Sequence, residues 1–270
     1  MYLNKKMIKK NKNKLSVKIM GGLGNQMFQW AFGRNLSLIN NSDLRLETSW
    51  YSTKNYDREF KLNKFPNIKI EFLDGSENIV RSIHEPDDFI YLDISDIGLP
   101  TIFVGYWQNE KYFKKNINLI IKDFSMTEEK KSELINKYKI VEENSVSVHF
   151  RRGDYITNPN HPVLSNNYYL ESLEKIKNYD NIIVFSDDIE WCKKNFKLPK
   201  ITYVEGLNNI DSLWLMSLCK NNIIANSSFS WWAAYLNQNI NKKIIRPKIW
   251  FSPNSSIDSS QICPYDWDIV

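Results

Sequence analysis

Two adjacent arginines close a short alternating segment, Val146-Ser-Val-His-Phe-Arg-Arg-Gly-Asp-Tyr155, and the chain concentrates its chemistry there. Guanidinium stays protonated and grips phosphate oxygens two at a time, so the implied ligand is a phosphate ester. Val146, Val148 and Phe150 alternate with Ser145, Ser147 and His149, the period of a strand with one buried face, and Gly153 and Asp154 end it. Carried one residue further, the extended backbone projects His149 and Arg151 to one side and Arg152 to the other. The competing reading leaves both arginines solvated, or paired with Asp154, without a ligand.

Two further stretches carry groups of the same kind. Asn226-Ser-Ser-Phe-Ser230 lies between an apolar strand and a helix start, where hydroxyls and amides can hold a phosphate on the positive helix end. A plain N-cap would need only one of those serines. Gly21-Gly-Leu-Gly-Asn-Gln26 follows a strand and precedes a helix, an approach loop for phosphate or sugar because glycines admit the ligand close to the backbone. It is no dinucleotide fingerprint, since Met27 stands where glycine or alanine is wanted, and the chain has no Gly-Lys-Ser/Thr of a P-loop. Asp211, opening an amphipathic helix, is by default an N-cap; its functional reading is recognition of the two N–H donors on a guanine edge. Ser186-Asp-Asp188 reads first as a capping cluster.

The elements that must position these groups follow from periodicity. A strand over 16–20 runs into the glycine loop, and Phe28, Phe32, Leu36 and Ile39 mark one buried helical face behind it. Between Asp43 and Pro100 the signals are sparse: alternation at Leu44 and Leu46, a turn at Asp74-Gly75, and a loop at 85–88 with His84, read as structural, beside it. Thr101–Val104 reads as a strand leading to Gly105-Tyr-Trp-Gln108, whose aromatic pair either stacks on a sugar or packs the core. Phe113, Ile117, Ile120 and Phe124 share a helical face, and the charged span 125–144 reads as a second helix and a domain boundary. Beyond it strands at 145–150, 182–185, 201–204, 222–225 and 243–245 alternate with helices, which predicts a parallel, doubly wound sheet. Ligands bind such sheets at the carboxyl ends of the strands, where the arginines and the serine loop fall.

The 270 residues and net charge of +5 suit a chain with a sizeable core and an anionic ligand, although much of the excess is the basic run from Lys5 to Lys14. That run has no apolar segment behind it and is not a signal peptide; it reads as a solvated tail (1–14) or as a weak electrostatic hold on anionic lipid. Three scattered cysteines form neither a disulfide framework nor a zinc pattern, so the expected compartment is a reducing cytoplasm, with peripheral contact at the inner membrane face through the tail. No basic stripe interleaved with aromatics occurs outside the tail, which argues against nucleic acid as a partner.

Taken together, Gly21-Gly-Leu-Gly-Asn-Gln-Met-Phe-Gln29, His149-Phe-Arg-Arg-Gly-Asp-Tyr155, Phe185-Ser-Asp-Asp-Ile-Glu-Trp191, and Asp211-Ser-Leu-Trp-Leu-Met-Ser-Leu-Cys219 with Asn226-Ser-Ser-Phe-Ser-Trp-Trp-Ala-Ala-Tyr235 resemble the α-1,2-fucosyltransferases of glycosyltransferase family 11. The resemblance implies a GT-B-like α/β fold of two Rossmann-type domains, an acceptor-side domain at 15–140 and a GDP-sugar-binding domain at 141–270. It implies GDP-L-fucose as donor, a galactose-terminated oligosaccharide or lipid-linked glycan as acceptor, and inversion without a metal ion or cofactor. By the same resemblance Arg151 holds the diphosphate, His149 the nucleoside end, Asp211 guanine, and Ser227 and Ser228 the phosphate, with Phe229 packed nearby. Asn25, with Gly22 and Gly24, faces the donor from the other domain. The acceptor proton needs a base, and Asp154 is the nearest carboxylate in sequence, though it serves equally as an orienting partner for Arg152; a metal role for Asp187 and Asp188 is the minor reading. The alternatives are a fucosyltransferase of other linkage or acceptor, and a non-catalytic binder of nucleotide sugar or nucleic acid.

Overall fold

The computed structural model describes residues 14–53, 58–75, 79–86, 89–94, 100–139, 144–255 and 257–270. The basic run up to Asn13, the end of the 85–88 loop and the expected boundary at 140/141 lie outside them. Alternating apolar residues in the first half build β1 (Lys14–Lys18), two residues earlier than expected, and α1 (Leu23–Ile39) leads from it to β2 (Asp43–Glu47). With β3 (Arg81–His84) and β4 (Thr101–Val104) they form a parallel sheet in the order β2-β1-β4-β3. β3, which the sequence did not announce, is a largely exposed edge strand without a buried apolar face.

Two helices, α2 (Ile117–Phe124) and α3 (Glu128–Lys137), lead to the second half. The charged span is therefore not one helix from 125 to 144: Thr127 caps α3 through the Lys130 amide, and the helix ends at Lys137. The second half runs β5 (Ser145–Phe150), α4 (Asn166–Ile176), β6 (Asn181–Ser186), α5 (Ile189–Asn195), β7 (Ile201–Tyr203), α6 (Asn209–Leu218), β8 (Asn221–Ile223), α7 (Ser228–Leu236), β9 (Ile244–Arg246) and β10 (Asp268–Ile269). Its six strands lie in the order β10-β9-β8-β5-β6-β7, and every pair is parallel, as the alternation of strands and helices predicts.

One expectation fails at β5. It is buried on both faces, not one, because helices cover both sides of the sheet. Val146, Val148 and Phe150 pack against α4 and α5 through Tyr169, Leu173 and Phe196. On the other face Ser147 keeps its hydroxyl satisfied by accepting from Asn222 Nδ2 at 2.7 Å, which makes a polar residue tolerable there.

Besides the cluster under α4 and α5, a larger apolar core passes from one sheet to the other. Phe28 of α1 lies 4.5 Å from Trp231 and 5.0 Å from Trp232 of α7, while Phe113 stacks on Trp232 at 5.4 Å. Trp214 of α6 donates from Nε1 to the Phe124 carbonyl of α2 at 2.9 Å, and Tyr235 of α7 donates to Glu110 Oε2 at 3.1 Å. Full burial of a ring such as Phe28 contributes roughly 1.5–3 kcal/mol, so shared core adds to these hydrogen bonds in holding the two halves together.

Candidate active site

Each sheet reverses its strand order once, between β1 and β4 in the first and between β5 and β8 in the second. Open parallel sheets leave a crevice at that reversal, outside the carboxyl ends of the strands. The two crevices face each other across one cleft of about 690 Å³, walled on one side by Gly22, Asn25 and Tyr106 and on the other by His149, Arg151 and Ser227. Of the expected site residues, Gly22, Gly24, Asn25, His149, Arg151, Asp154, Ser227, Ser228 and Phe229 all line it. Asp211 does not: on α6 it meets Lys130 Nζ at 3.5 Å and accepts from Asn208 Nδ2 at 3.0 Å, while Asn208, not Asp211, caps the helix. The next residue, Ser212, faces the cleft in its place.

The period of β5 separates the arginines as expected. Arg151 enters the cleft, whereas Arg152 turns away, its guanidinium 3.6 Å above the Trp191 ring and 3.2 Å from Asp188. Arg152 therefore takes Asp188 as its partner, not Asp154. Arg151 donates to Asp187 Oδ2 at 2.6 Å and pairs also with Asp154, which accepts from Arg58 Nη2 at 3.1 Å. The capping reading of Ser186-Asp-Asp188 holds in part: Asp188 caps α5 through the Trp191 amide, but Asp187 is spent on Arg151 and on the Arg152 amide at 2.9 Å. Arg58 is the residue that no sequence signal marks, for it lies in no periodic or glycine-marked stretch, and Asp187, expected as part of a capping cluster or a minor metal site, is instead the partner of Arg151.

Around this network the serine loop and the glycine loop interlock. Ser227 caps α7, accepting from the Phe229 amide at 3.3 Å, and Ser228 donates to Asn25 Oδ1 at 2.6 Å, which also accepts from Gln108 Nε2 at 3.0 Å. The glycine loop is shorter than expected, because α1 begins inside it at Leu23. Gly21 has φ +80°, and Gly24, already helical, would place a Cβ 2.4 Å from the Ser228 carbonyl carbon. The glutamines of the motif fasten the loop from beneath: Gln26 donates to the Gly21 and Glu59 carbonyls, and Gln29 accepts from the Met20 amide and donates to the Gly105 carbonyl. Of the aromatic pair after β4, Tyr106 lines the cleft while Trp107 stacks on Phe32 at 4.0 Å within the core. His84 lies on the exposed edge strand against Ser82, outside the cleft.

Among the described residues, three buried side-chain atoms in the cleft wall have no hydrogen-bond partner: His149 Nδ1, Asn226 Oδ1 and His161 Nδ1. Buried polar atoms are nearly always paired, so these three are open to a partner supplied by a ligand in the cleft. The three cysteines are buried, and burial pushes their thiols up, Cys192 to about 11 and Cys219 and Cys263 to about 12, so none offers a thiolate nucleophile.

Burial, aided by the Arg151 charge, pushes the His149 imidazole down to about 3. The unfolded ring titrates near 6.5, so below that pH the unfolded chain binds a proton that the folded chain refuses. Stability from the neutral ring is complete above pH 6.5 and is lost as pH falls toward 3. In urea melts from pH 7 to 4, His149→Gln is expected to lose less stability than the parent chain, by at most about 3 kcal/mol. Parallel losses in both chains would exclude His149 as the cause.

A family model for glycosyl transferase family 11 matches residues 1–267. The chain is 34% identical over 284 residues to an alpha-1,2-colitosyltransferase of Escherichia coli, covering 93% of this chain and 96% of the relative. It is 25% identical over 240 residues to the galactoside 2-alpha-L-fucosyltransferase Sec1 of Mus musculus, covering 82% of this chain and 64% of that protein. Among solved structures, the fucosyltransferase NodZ from Bradyrhizobium aligns with a TM-score of 0.55 at 12% identity, over 83% of this chain and 92% of that one. That likeness speaks for the fold, which is GT-B-like, with two parallel Rossmann-type sheets facing one cleft.

Proposed function

The chain belongs to glycosyl transferase family 11, and from that premise we propose that it moves L-fucose from GDP-β-L-fucose to the 2-hydroxyl of a terminal galactoside on an oligosaccharide or lipid-linked glycan, with inversion and without a metal ion. The observation that carries this reading is the Arg151 guanidinium at the reversal point of the second sheet, beside the capped N-terminus of α7. As the bond from the anomeric carbon to the β-phosphate oxygen breaks, its electrons stay on the phosphate. A fixed guanidinium and the positive helix end stabilise that charge more in the transition state than in the ground state.

The acceptor hydroxyl attacks from the face opposite GDP, forms the new C–O bond and gives its proton to a base. Asp154 is the carboxylate we assign to this step. Before donor binding it is held by Arg58 and Arg151, and its side chain is exposed. A diphosphate that takes over Arg151 leaves Asp154 paired with Arg58 alone, and an exposed ion pair of that kind is weak.

A second reading keeps the reaction and changes the sugar. Colitose is fucose without its 3-hydroxyl, and similarity to the colitosyltransferase favours it over a donor of unrelated shape. Thermal shift with GDP, UDP and ADP tests the nucleotide: selective stabilisation by GDP is expected, about 3 kcal/mol at a hundredfold excess over Kd. Product analysis by NMR with both GDP-sugars, in the presence of a chelator, then tests sugar, linkage and metal independence. Equal shifts with all three nucleotides, or a product linked elsewhere than the 2-hydroxyl, would refute the proposal. In the same assay Asp154→Asn should lose turnover while keeping the GDP shift.

A further inference from the structure

The charged residues occupy one end of the cleft, and the other end is walled by rings. Tyr106, Phe89, Phe251, His161 and Tyr155 all line it and all are half-buried. Their centroids follow one another at 6.3, 5.6, 5.1 and 4.6 Å. Tyr106, Phe89 and Phe251 tilt by only 22° and 21° from one to the next. That spacing is wider than the 4.0 Å of Phe32 on Trp107 in the core, and each of the five rings keeps part of its surface open. The row ends at the charged centre, since the Arg151 guanidinium lies 5.1 Å from the centroid of the Tyr155 ring.

Strand order explains the segregation. Phe89 and Tyr106 follow β3 and β4, Tyr155 and His161 follow β5, and Phe251 follows β9, whereas the tips of β6 and β7, with Phe185 and Glu205, lie on the other side of β5. A nucleotide whose phosphates sit at Arg151 has room for its nucleoside toward β6 and β7. The row then remains for the second substrate.

We infer that this row of rings is the acceptor subsite, and that it takes the terminal hexopyranoside through the apolar C–H face of the sugar. The inference rests on the transferase reading given above. An aromatic face carries negative charge density and attracts polarised C–H groups, while a charged wall would favour water over a neutral sugar. Two unpartnered atoms at the Tyr155 end, His161 Nδ1 and Asn226 Oδ1, meet the sugar hydroxyls, giving the pattern of apolar lining with a few convergent polar groups. Burial lowers the proton affinity of the His161 ring from its ordinary value.

The test is steady-state kinetics with GDP-fucose and a methyl β-galactoside, read beside the GDP-induced thermal shift. Phe251→Leu keeps apolar volume without a ring face; acceptor KM should rise about tenfold while donor KM and the GDP shift stay as in the parent enzyme. Phe251→Tyr, which restores the ring, should return acceptor KM close to the parent value. If Phe251→Leu does not fold, Phe89→Leu carries the same expectation. Unchanged acceptor KM in the folded leucine variant, or donor and acceptor KM rising together, would overturn the subsite and leave the transferase intact. A parent protein that binds GDP but transfers no sugar, or does not bind GDP, would overturn the function beneath it, and that result precedes any variant.

Discussion

Replacing Arg151 by alanine is expected to lower kcat for sugar transfer by about 10²–10³-fold, the loss seen when one preorganised donor to a developing oxyanion is removed. The fold should survive. Asp187 keeps the Arg152 amide at 2.9 Å, and Asp154 keeps Arg58 at 3.1 Å, so neither carboxylate is stranded in an apolar core. Arg151→Lys should recover only part of the rate, because an ammonium cannot grip two phosphate oxygens in one plane. Circular dichroism with single-turnover kinetics separates the cases: an unfolded variant would leave the question to Arg151→Lys, and a folded alanine variant at parental rate would remove Arg151 from the reaction.

Gly24→Ala should cost stability out of proportion to its one methyl group. Its Cβ would meet the Ser228 carbonyl carbon at 2.4 Å, the Phe229 amide nitrogen at 2.5 Å and the Ser228 oxygen at 2.7 Å, all backbone atoms that cannot swing aside. Overpacking of this kind costs about 1–3 kcal/mol, and for a chain of this size about 2–4 °C in Tm per kcal/mol. The strain falls on the N-terminus of α7 and on the Ser228 to Asn25 hydrogen bond, so GDP stabilisation should weaken as well. Gly22→Ala is the control: at that position a Cβ meets nothing nearer than Arg58 Nη1 at 3.9 Å. Equal melting temperatures for the two variants would show that α1 and α7 do not abut as described.

Part of this was legible beforehand. The parallel sheet of the second half could be read because its strands and helices alternate without interruption, and the period of β5 sent Arg151 and Arg152 to opposite sides. The same period misled about burial, since alternation with serines mimics a solvated face while Ser147 is satisfied inside the protein by Asn222. Gly24 was read as room for a ligand, and it lines the cleft, but its missing side chain is used first by a neighbouring helix; both demands select glycine and leave one trace. The place of Arg58, the pairing of Asp187 with Arg151 and the joining of Tyr106 to four further rings depend on contacts between distant segments, which no local pattern records. The guanine role of Asp211 follows from the family resemblance alone, while its place in the first turn of a helix suits a carboxylate for the helix dipole, which is the reading its contacts in the structure fit.

The unbroken seam of rings from Phe28 through Trp231 and Trp232 has a thermodynamic corollary. Lobes joined by a wet, polar surface swing against each other as the default, but lobes that share their oily interior do not come apart without solvating tryptophan. The two lobes are therefore expected to unfold together, as one cooperative transition in a thermal melt and not lobe by lobe.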